Sequence, residues 1–159
     1  MYQTFLFDLD GTLTNSELGV TNSVAYALAK YGIEVPDKKD LTVFIGPPLR
    51  DSFERFYSFS EEESLKAVGY YREYFSEKGL YENEVYPEIP ELLASLKQAG
   101  KQLIVATSKP EKFSIQILKH FGLYDYFDFV AGATMDGSRS RKSDRSEEHT
   151  SELQSLVII

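Results

Sequence analysis

Residues 5–14 constrain the fold most, because they place two carboxylates at the end of an apolar run. Four of the five residues in Phe5–Leu9 are apolar, a pattern typical of a strand that is buried on both faces. Asp8 and Asp10 stand where this strand passes into a loop beginning at Gly11. Since an unpaired carboxylate is costly to remove from water, the pair indicates a site that holds a cation.

Two other interpretations of the acidic pair fit less well. Asp10-Gly11 is typical of an exposed turn, but the apolar run before it argues against exposure. A calcium loop would need a further acid two residues on and a distal Glu, and Thr12 and Thr14 break that pattern. Mg²⁺ takes one or two carboxylates together with substrate oxygens, so Asp8 and Asp10 are candidate ligands for Mg²⁺.

The later chain alternates helical and extended patterns. Leu103–Ala106 is a second apolar run, it ends at Thr107, and Phe127–Ala131 reads as a third strand. This alternation predicts an α/β fold with a parallel sheet. The helical section 16–86 is too long for a simple crossover, which indicates an inserted helical domain.

Ligands of open α/β sheets bind beyond the carboxyl ends of the strands. Asp8, Thr107 and the loop 132–142 all fall at that edge of the predicted sheet. We therefore expect the chemistry of the protein to be located there.

Composition narrows the classes of partner. A formal net charge of -8 argues against nonspecific binding to nucleic acid or to an anionic membrane. The absence of cysteine excludes disulfides and thiolate sites within this sequence. Without a long apolar run or a leader-like start, a cytoplasmic protein is the expectation, and its oligomeric state stays open.

Three motifs carry a resemblance to a known family. Asp8-Leu9-Asp10-Gly11-Thr12 matches the Asp-x-Asp-Gly-Thr signature of the haloacid dehalogenase-like (HAD) phosphatases. Thr107, followed by Ser-Lys-Pro, resembles the second motif of that family, and Lys142 resembles the third-motif lysine. Within the superfamily the chain is most similar to the phosphoglycolate phosphatase-like branch and to members named 5′-nucleotidases.

The resemblance implies a Rossmann-like, three-layer HAD core with an inserted helical cap. Residues 1–15 and 87–144 would form the core, and residues 16–86 would form the cap. The implied activity is Mg²⁺-dependent hydrolysis of a phosphate monoester, with a small phosphorylated metabolite as the substrate.

The resemblance also implies roles for individual residues. Asp8 would attack phosphorus to form an aspartyl-phosphate, and Asp10 would act as general acid and then as general base. Thr107 and Lys142 would bind the transferring phosphoryl group, and Mg²⁺ would be held by Asp8 and by the backbone carbonyl of Asp10. Further residues implied in substrate binding are Gly11, Thr12, Gly46 and Ser108.

Elementary electrostatics indicates that cationic groups are needed to bring Asp8 close to a phosphate. At ~4 Å and an effective dielectric constant near 20, Asp8 and a phosphate dianion repel by roughly 8 kcal/mol. One lysine offsets about half of this repulsion, and a divalent cation would supply the rest.

Two basic residues have two interpretations each. Arg50, which follows Gly46-Pro47-Pro48, either grips an anionic substrate or is a solvated residue at a helix start. Lys109 either lines the phosphate site or is simply solvated. The sequence leaves both pairs open.

Two alternatives to a phosphatase are kept. A phosphoglucomutase-like phosphotransferase would pass the phosphoryl group from Asp8 to a sugar instead of to water. A non-catalytic HAD-like binding module would keep the fold without turnover.

The sequence departs from the family after Lys142. The family continues with a helix and a strand ending in Gly-Asp-x-x-x-Asp, and residues 145–159 contain no such motif. They resemble a translated sequencing adapter, which predicts a non-native tail, while the alternative is a divergent polar helix with an apolar end. Sequencing the gene without that adapter decides between them.

This departure has a structural consequence. With the C-terminal strands of the family missing, we expect Phe5-Leu6-Phe7 to form an unpaired apolar edge, which favours aggregation. The chain as written is therefore expected to be unstable and nearly inactive.

Overall fold

The computed structural model describes residues 3–135 and 156–159. The chain divides into two compact units. Met1–Asn15 and Val85–Ile159 form the first unit, and Ser16–Glu84 forms the second. We refer to them as the sheet unit and the helical unit.

Strands and helices alternate in the sheet unit, while the helical unit lies within one long insertion. The strands are β1 (Thr4–Phe7), β2 (Thr14–Asn15), β3 (Glu84–Val85), β4 (Gln102–Pro110), β5 (Phe129–Ala133) and β6 (Leu156–Ile158). The α-helices are α1 (Glu17–Ala29), α2 (Leu49–Tyr57), α3 (Glu61–Glu77), α4 (Ile89–Gln98) and α5 (Glu111–His120). Shorter 3₁₀ helices span Lys38–Phe44, Gly79–Tyr81 and Tyr124–Tyr126.

The main sheet has four strands in the order β5-β4-β1-β6, and every pair in it is parallel. The core side chains of β1 and β4 are almost fully buried, as continuous apolar runs require. Phe7 lies level with Val105, so the two central strands end at the same edge of the sheet. The predicted α/β fold with a parallel sheet is confirmed.

The expectation that β1 forms an unpaired edge is wrong. Leu156–Ile158 pairs with β1 in parallel, with Leu6 level with Ile158. The Ile159 amide donates to the Leu6 carbonyl oxygen at 2.7 Å. The last residues are apolar and mostly β-branched, which suits them to the open side of an apolar strand. Residues 136–155 lie outside the described residues, and the origin of the segment 145–159 stays a prediction.

The helical unit is built around α1 and α3. Ser60-Glu61-Glu62-Glu63 fits the sequence pattern of a capping box, and α3 begins with one. Ser60 Oγ accepts from the Glu63 amide at 3.1 Å, and Glu63 Oε1 accepts from the Ser60 amide at 3.0 Å. Phe53 and Phe75 are fully buried core residues of this unit. Across the described part of the chain, no helix combines the length and apolar character that a membrane crossing needs.

Candidate active site

The loop after β1 is a tight turn organised by one carbonyl group. The Leu9 carbonyl oxygen accepts the amides of Thr12, Leu13 and Thr14 at 3.3, 3.0 and 3.2 Å. Gly11 has φ +82°, a left-handed conformation that side chains rarely adopt, and its amide donates to the Thr14 carbonyl at 2.8 Å. The Asp-Gly-Thr sequence therefore fixes the backbone on which both acids stand.

Asp8 is the first residue beyond β1 and is partly exposed. Its Oδ1 accepts the Leu9 amide at 2.8 Å, while its own amide donates to the Ile159 carbonyl at 3.3 Å. These bonds fix the backbone of Asp8. Its carboxylate lies at the carboxyl edge of the sheet, where a ligand is expected.

The end of β4 bulges beside this loop. From Ala106 to Pro110 the pairing advances four residues on β4 but only two on β5, from Ala131 to Ala133. Bulges bend a strand and redirect its side chains, and they are frequent next to active sites. Thr107 lies in the bulge, and its Oγ1 accepts the Lys109 amide at 3.1 Å.

An ion pair joins the loop after β1 to the end of β4. Lys109 Nζ lies 3.3 Å from Asp10 Oδ2, and the two side chains are 6% and 9% exposed, respectively. The interpretation of Lys109 as a solvated residue is therefore wrong. Because the pair is shielded from water, removing one partner would leave a charge in a costly environment, worth about 3–5 kcal/mol.

The second oxygen of the Asp10 carboxylate has a different environment. Asp10 Oδ1 is buried and has no hydrogen-bond partner among the described residues. Thr14 pairs with Asp10 through a β-bridge, and its buried Oγ1 likewise has no partner there. Buried polar atoms are rarely left unsatisfied, so these two atoms mark a place that a ligand, water or ion can fill.

The acidic pair fits a hard divalent cation. The ligands that the family resemblance implies, the Asp8 carboxylate and the Asp10 backbone carbonyl, are both oxygen donors of the kind that Mg²⁺ prefers, and they leave the Asp10 carboxylate outside the donor set. Residues 3–135 and 156–159 hold no group of three or more metal-capable acids, histidines or cysteines. Asp8 and Asp10 are thus the candidate protein ligands in the described chain, a number that Mg²⁺ commonly accepts.

The remaining predicted site residues lie in three places. Gly11 and Thr12 belong to the loop after β1, and Ser108 to the bulge of β4. Lys142 lies outside the described residues. Two others belong to the helical unit, namely Gly46 and Arg50.

Arg50 is neither a free cation nor an isolated solvated residue. It donates to Glu61 Oε1 at 2.7 Å and lies 3.6 Å from Glu54 Oε1, with its side chain 43% exposed. Gly46 has φ +106°, which permits the sharp turn ahead of α2. An anion that binds Arg50 would have to compete with the carboxylate of Glu61.

The contact between Lys109 and Asp10 is what the sequence interpretation missed. A lysine two residues after the end of an apolar run is the available signal, because the carboxyl ends of adjacent parallel strands meet. The direction of its side chain depends on the bulge, and no local pattern in the sequence predicts that bulge.

Curated relatives match most of this chain. A protein from Pseudomonas aeruginosa named 5′-nucleotidase is 48% identical over 143 residues, covering 90% of this chain and 65% of that protein. A protein from Mycobacterium tuberculosis named tyrosine-protein kinase PtkA is 41% identical over 143 residues, covering 89% of this chain and 48% of that protein. The chain therefore spans about half to two thirds of the length of these relatives.

A solved structure shares the fold. The crystal structure of a predicted phosphatase from Clostridium acetobutylicum superposes with a TM-score of 0.96 at 48% identity, covering 99% of this chain and 75% of that one. The model of the haloacid dehalogenase-like hydrolases matches residues 5–140. Together with the motifs at Asp8 and Thr107, these matches show that the chain belongs to the haloacid dehalogenase-like hydrolase family.

Proposed function

We propose that this protein hydrolyses phosphate monoesters through an aspartyl-phosphate on Asp8. The observation that carries the proposal is the meeting of two loops at one edge of the sheet. Asp8 and Asp10 follow β1, and Lys109 from the end of β4 forms a buried ion pair with Asp10. The named activity of the relative from Pseudomonas aeruginosa supports the same chemistry.

The first step transfers the phosphoryl group to the protein. An oxygen of the Asp8 carboxylate attacks phosphorus, and the bond from phosphorus to the alcohol oxygen breaks. Asp10, protonated in this step, gives its proton to the departing alcohol oxygen. The products are a free alcohol, an aspartyl-phosphate and an Asp10 carboxylate.

The second step restores the protein. The Asp10 carboxylate takes a proton from a water molecule, and the water oxygen attacks phosphorus. The bond between phosphorus and Asp8 breaks, so inorganic phosphate leaves and Asp10 is protonated again. By the family resemblance, Thr107 and Lys142 bind the phosphoryl oxygens in both steps.

We further propose that the carboxylate of Asp8 and the backbone carbonyl of Asp10 would hold Mg²⁺ when the protein is active. A divalent cation there would offset the repulsion between the Asp8 carboxylate and the phosphate dianion. The support is the all-oxygen donor set described above.

The proposed substrate is a small phosphorylated metabolite, with a nucleoside monophosphate or phosphoglycolate as the leading candidates. The name of the relative from Pseudomonas aeruginosa favours the former. Substrate-binding roles are proposed for Gly11, Thr12, Gly46, Arg50 and Ser108. A substrate anion at Arg50 would replace one of its present carboxylate partners, Glu54 or Glu61.

A second candidate is a phosphotransferase, in which a hydroxyl other than water accepts the phosphoryl group from Asp8. The match to a relative named tyrosine-protein kinase favours it. A labelled phosphate ester separates the two candidates, because hydrolysis releases the label as inorganic phosphate. Transfer leaves the label on an added acceptor such as a sugar or a tyrosine peptide.

The test of the main proposal is the substitution Asp8→Asn, measured with a panel of phosphate monoesters and Mg²⁺. We expect kcat/KM to fall by about 10³-fold or more, because the amide is a poor nucleophile. Asp125→Asn, which makes the same change at an exposed position of the sheet unit, should leave kcat/KM unchanged. Hydrolysis that survives Asp8→Asn would refute the proposal.

The assay uses two samples, the 159-residue chain and the product of the gene sequenced through its stop codon. We propose that the activity belongs to the second sample, since the family motif with further acids is missing from residues 145–159. Equal turnover by both samples would contradict this part of the proposal alone.

A further inference from the structure

We propose that Lys109 is a positioning residue that holds Asp10 by one oxygen and presents the other, Oδ1, for proton transfer. The inference rests on the proposed function of Asp10 as general acid and base. It goes beyond that function by naming the oxygen that carries the proton and the side chain that orients it.

The two oxygens of Asp10 are not equivalent. Oδ2 lies 3.3 Å from Lys109 Nζ, whereas Oδ1 is buried without a hydrogen-bond partner in the described chain. A carboxylate held at one oxygen has its other oxygen fixed in direction. An unsatisfied oxygen in a buried site is the atom free to give a proton to an alcohol or to take one from water.

Lys109 is itself fixed by its neighbours. Its amide donates to Thr107 Oγ1 at 3.1 Å, which closes the bulge of β4. Pro110 follows it, and a residue before proline is restricted to extended backbone conformations. Its side chain is 6% exposed, so it reaches Asp10 through a packed environment. A lysine with this little freedom can orient a partner.

Close packing between β5 and the start of α5 supports the bulge of β4. A Cβ on Gly132 of β5 would lie 2.5 Å from Glu111 Cα and 2.6 Å from the Glu111 nitrogen, at the start of α5. Glycine at 132 therefore lets β5 approach the segment that directly follows Lys109. The ion pair is built on a close-packed junction rather than on a flexible loop.

The proposal distinguishes two ways in which Lys109 could act. A lysine that binds the phosphoryl group affects every phosphate ester alike, because that group is common to all of them. A lysine that positions the general acid matters most for esters whose alcohol needs a proton to leave. The nitrophenolate ion leaves readily without one, whereas the alkoxide of a simple alkyl phosphate does not.

The first measurement is structural and needs no turnover. We compare crystal structures of the parent protein, as the complete gene product, with those of Lys109→Met and Lys109→Arg. Asp10 is expected to rotate away from its original direction in Lys109→Met and to keep it in Lys109→Arg. An unchanged Asp10 in Lys109→Met overturns the proposal, whether or not the protein is active. Should the Met variant fail to fold, Lys109→Ala, which likewise cannot bind an oxygen of Asp10, takes its place with the same expected and contradicting outcomes.

The second measurement is kinetic. We compare kcat/KM for nitrophenyl phosphate and for glycerol phosphate, a ratio that reports the steps up to the transfer to Asp8. Lys109→Met is expected to lose about 100-fold with glycerol phosphate and less than about 10-fold with nitrophenyl phosphate. Lys109→Arg should recover most of the activity. Lys112→Met removes the same charge at an exposed position three residues away and should change neither value.

The outcomes separate this inference from the function on which it rests. Equal losses with both esters overturn the positioning role and assign Lys109 to the phosphoryl group. Absence of turnover of either ester by the parent protein refutes the proposed function instead. In that case the orientation of Asp10 in the crystal structures alone decides whether Lys109 holds it.

Discussion

At the scale of single residues, two helical glycines have opposite environments. A Cβ on Gly19 of α1 would collide with the carbonyl oxygen of Gly79, whereas a Cβ on Gly69 of α3 would meet no atom within 4 Å. We predict that Gly19→Ala lowers the free energy of unfolding by about 1–3 kcal/mol, because α1 must move off the Gly79–Tyr81 turn. Urea denaturation of the purified chain measures the change.

Gly69→Ala is the matched control for this prediction. It has open space and ordinary helical geometry, so we expect it to raise the free energy of unfolding by about 0.5–1 kcal/mol through the higher helix propensity of alanine. Equal effects of the two substitutions would show that α1 and the turn are not in close contact.

Single residues also show where sequence reasoning succeeds. Asp8, Asp10 and Thr107 could be placed at one edge of the sheet because short motifs at strand ends need no knowledge of distant packing. Lys109 could not be assigned, because its environment depends on a bulge between β4 and β5 and on a partner from another loop. Contacts of this kind are set by tertiary structure, which the local pattern does not encode.

At the scale of elements, α3 begins with a capping box that the local sequence predicts. Ser60 Oγ and Glu63 Oε1 each satisfy a backbone amide that the first turn would otherwise leave unpaired. We predict that Ser60→Ala lowers the free energy of unfolding by about 1 kcal/mol, within a range of about 0.5–2. The midpoint of urea denaturation, at constant slope, reports the loss.

The same substitution elsewhere in α3 provides the control. Ser76 is exposed near the end of the helix, so Ser76→Ala should be neutral or slightly stabilising, by no more than about 0.5 kcal/mol. A cost at Ser76 as large as that at Ser60 would mean that the capping bonds contribute nothing specific.

The elements differ in how far the sequence determines them. The capping box and the buried run of β4 follow from local spacing in the sequence, and both are present. The strand β6 is not among the sequence predictions, which took residues 145–159 as a non-native tail or a divergent polar helix with an apolar end. Its formation depends on a partner, the open side of β1, about 150 residues away.

At the scale of the whole molecule, β6 changes what the sheet unit exposes. With β6 present, β1 is paired on both sides, and the outer strand carries Val157 and Ile158, which are 37% and 71% exposed. The apolar edge is therefore displaced from β1 to β6 rather than abolished. The pairing also gives the backbone of Asp8 a hydrogen bond, because the Asp8 amide donates to the Ile159 carbonyl at 3.3 Å.

Removal of Leu156–Ile159 tests how much this pairing stabilises the 159-residue chain. Loss of the hydrogen bonds at Leu6 and Asp8 should lower the free energy of unfolding by about 2 kcal/mol, and the bare edge of β1 should promote aggregation visible by light scattering. Ile158→Thr keeps the backbone pairing and changes only an exposed side chain, so its effect should stay within about 0.5 kcal/mol. If the shortened chain matched the 159-residue chain in stability and solubility, the pairing of β6 with β1 would contribute nothing to the fold. The hydrogen bond from the Asp8 amide to Ile159 would then be dispensable for stability.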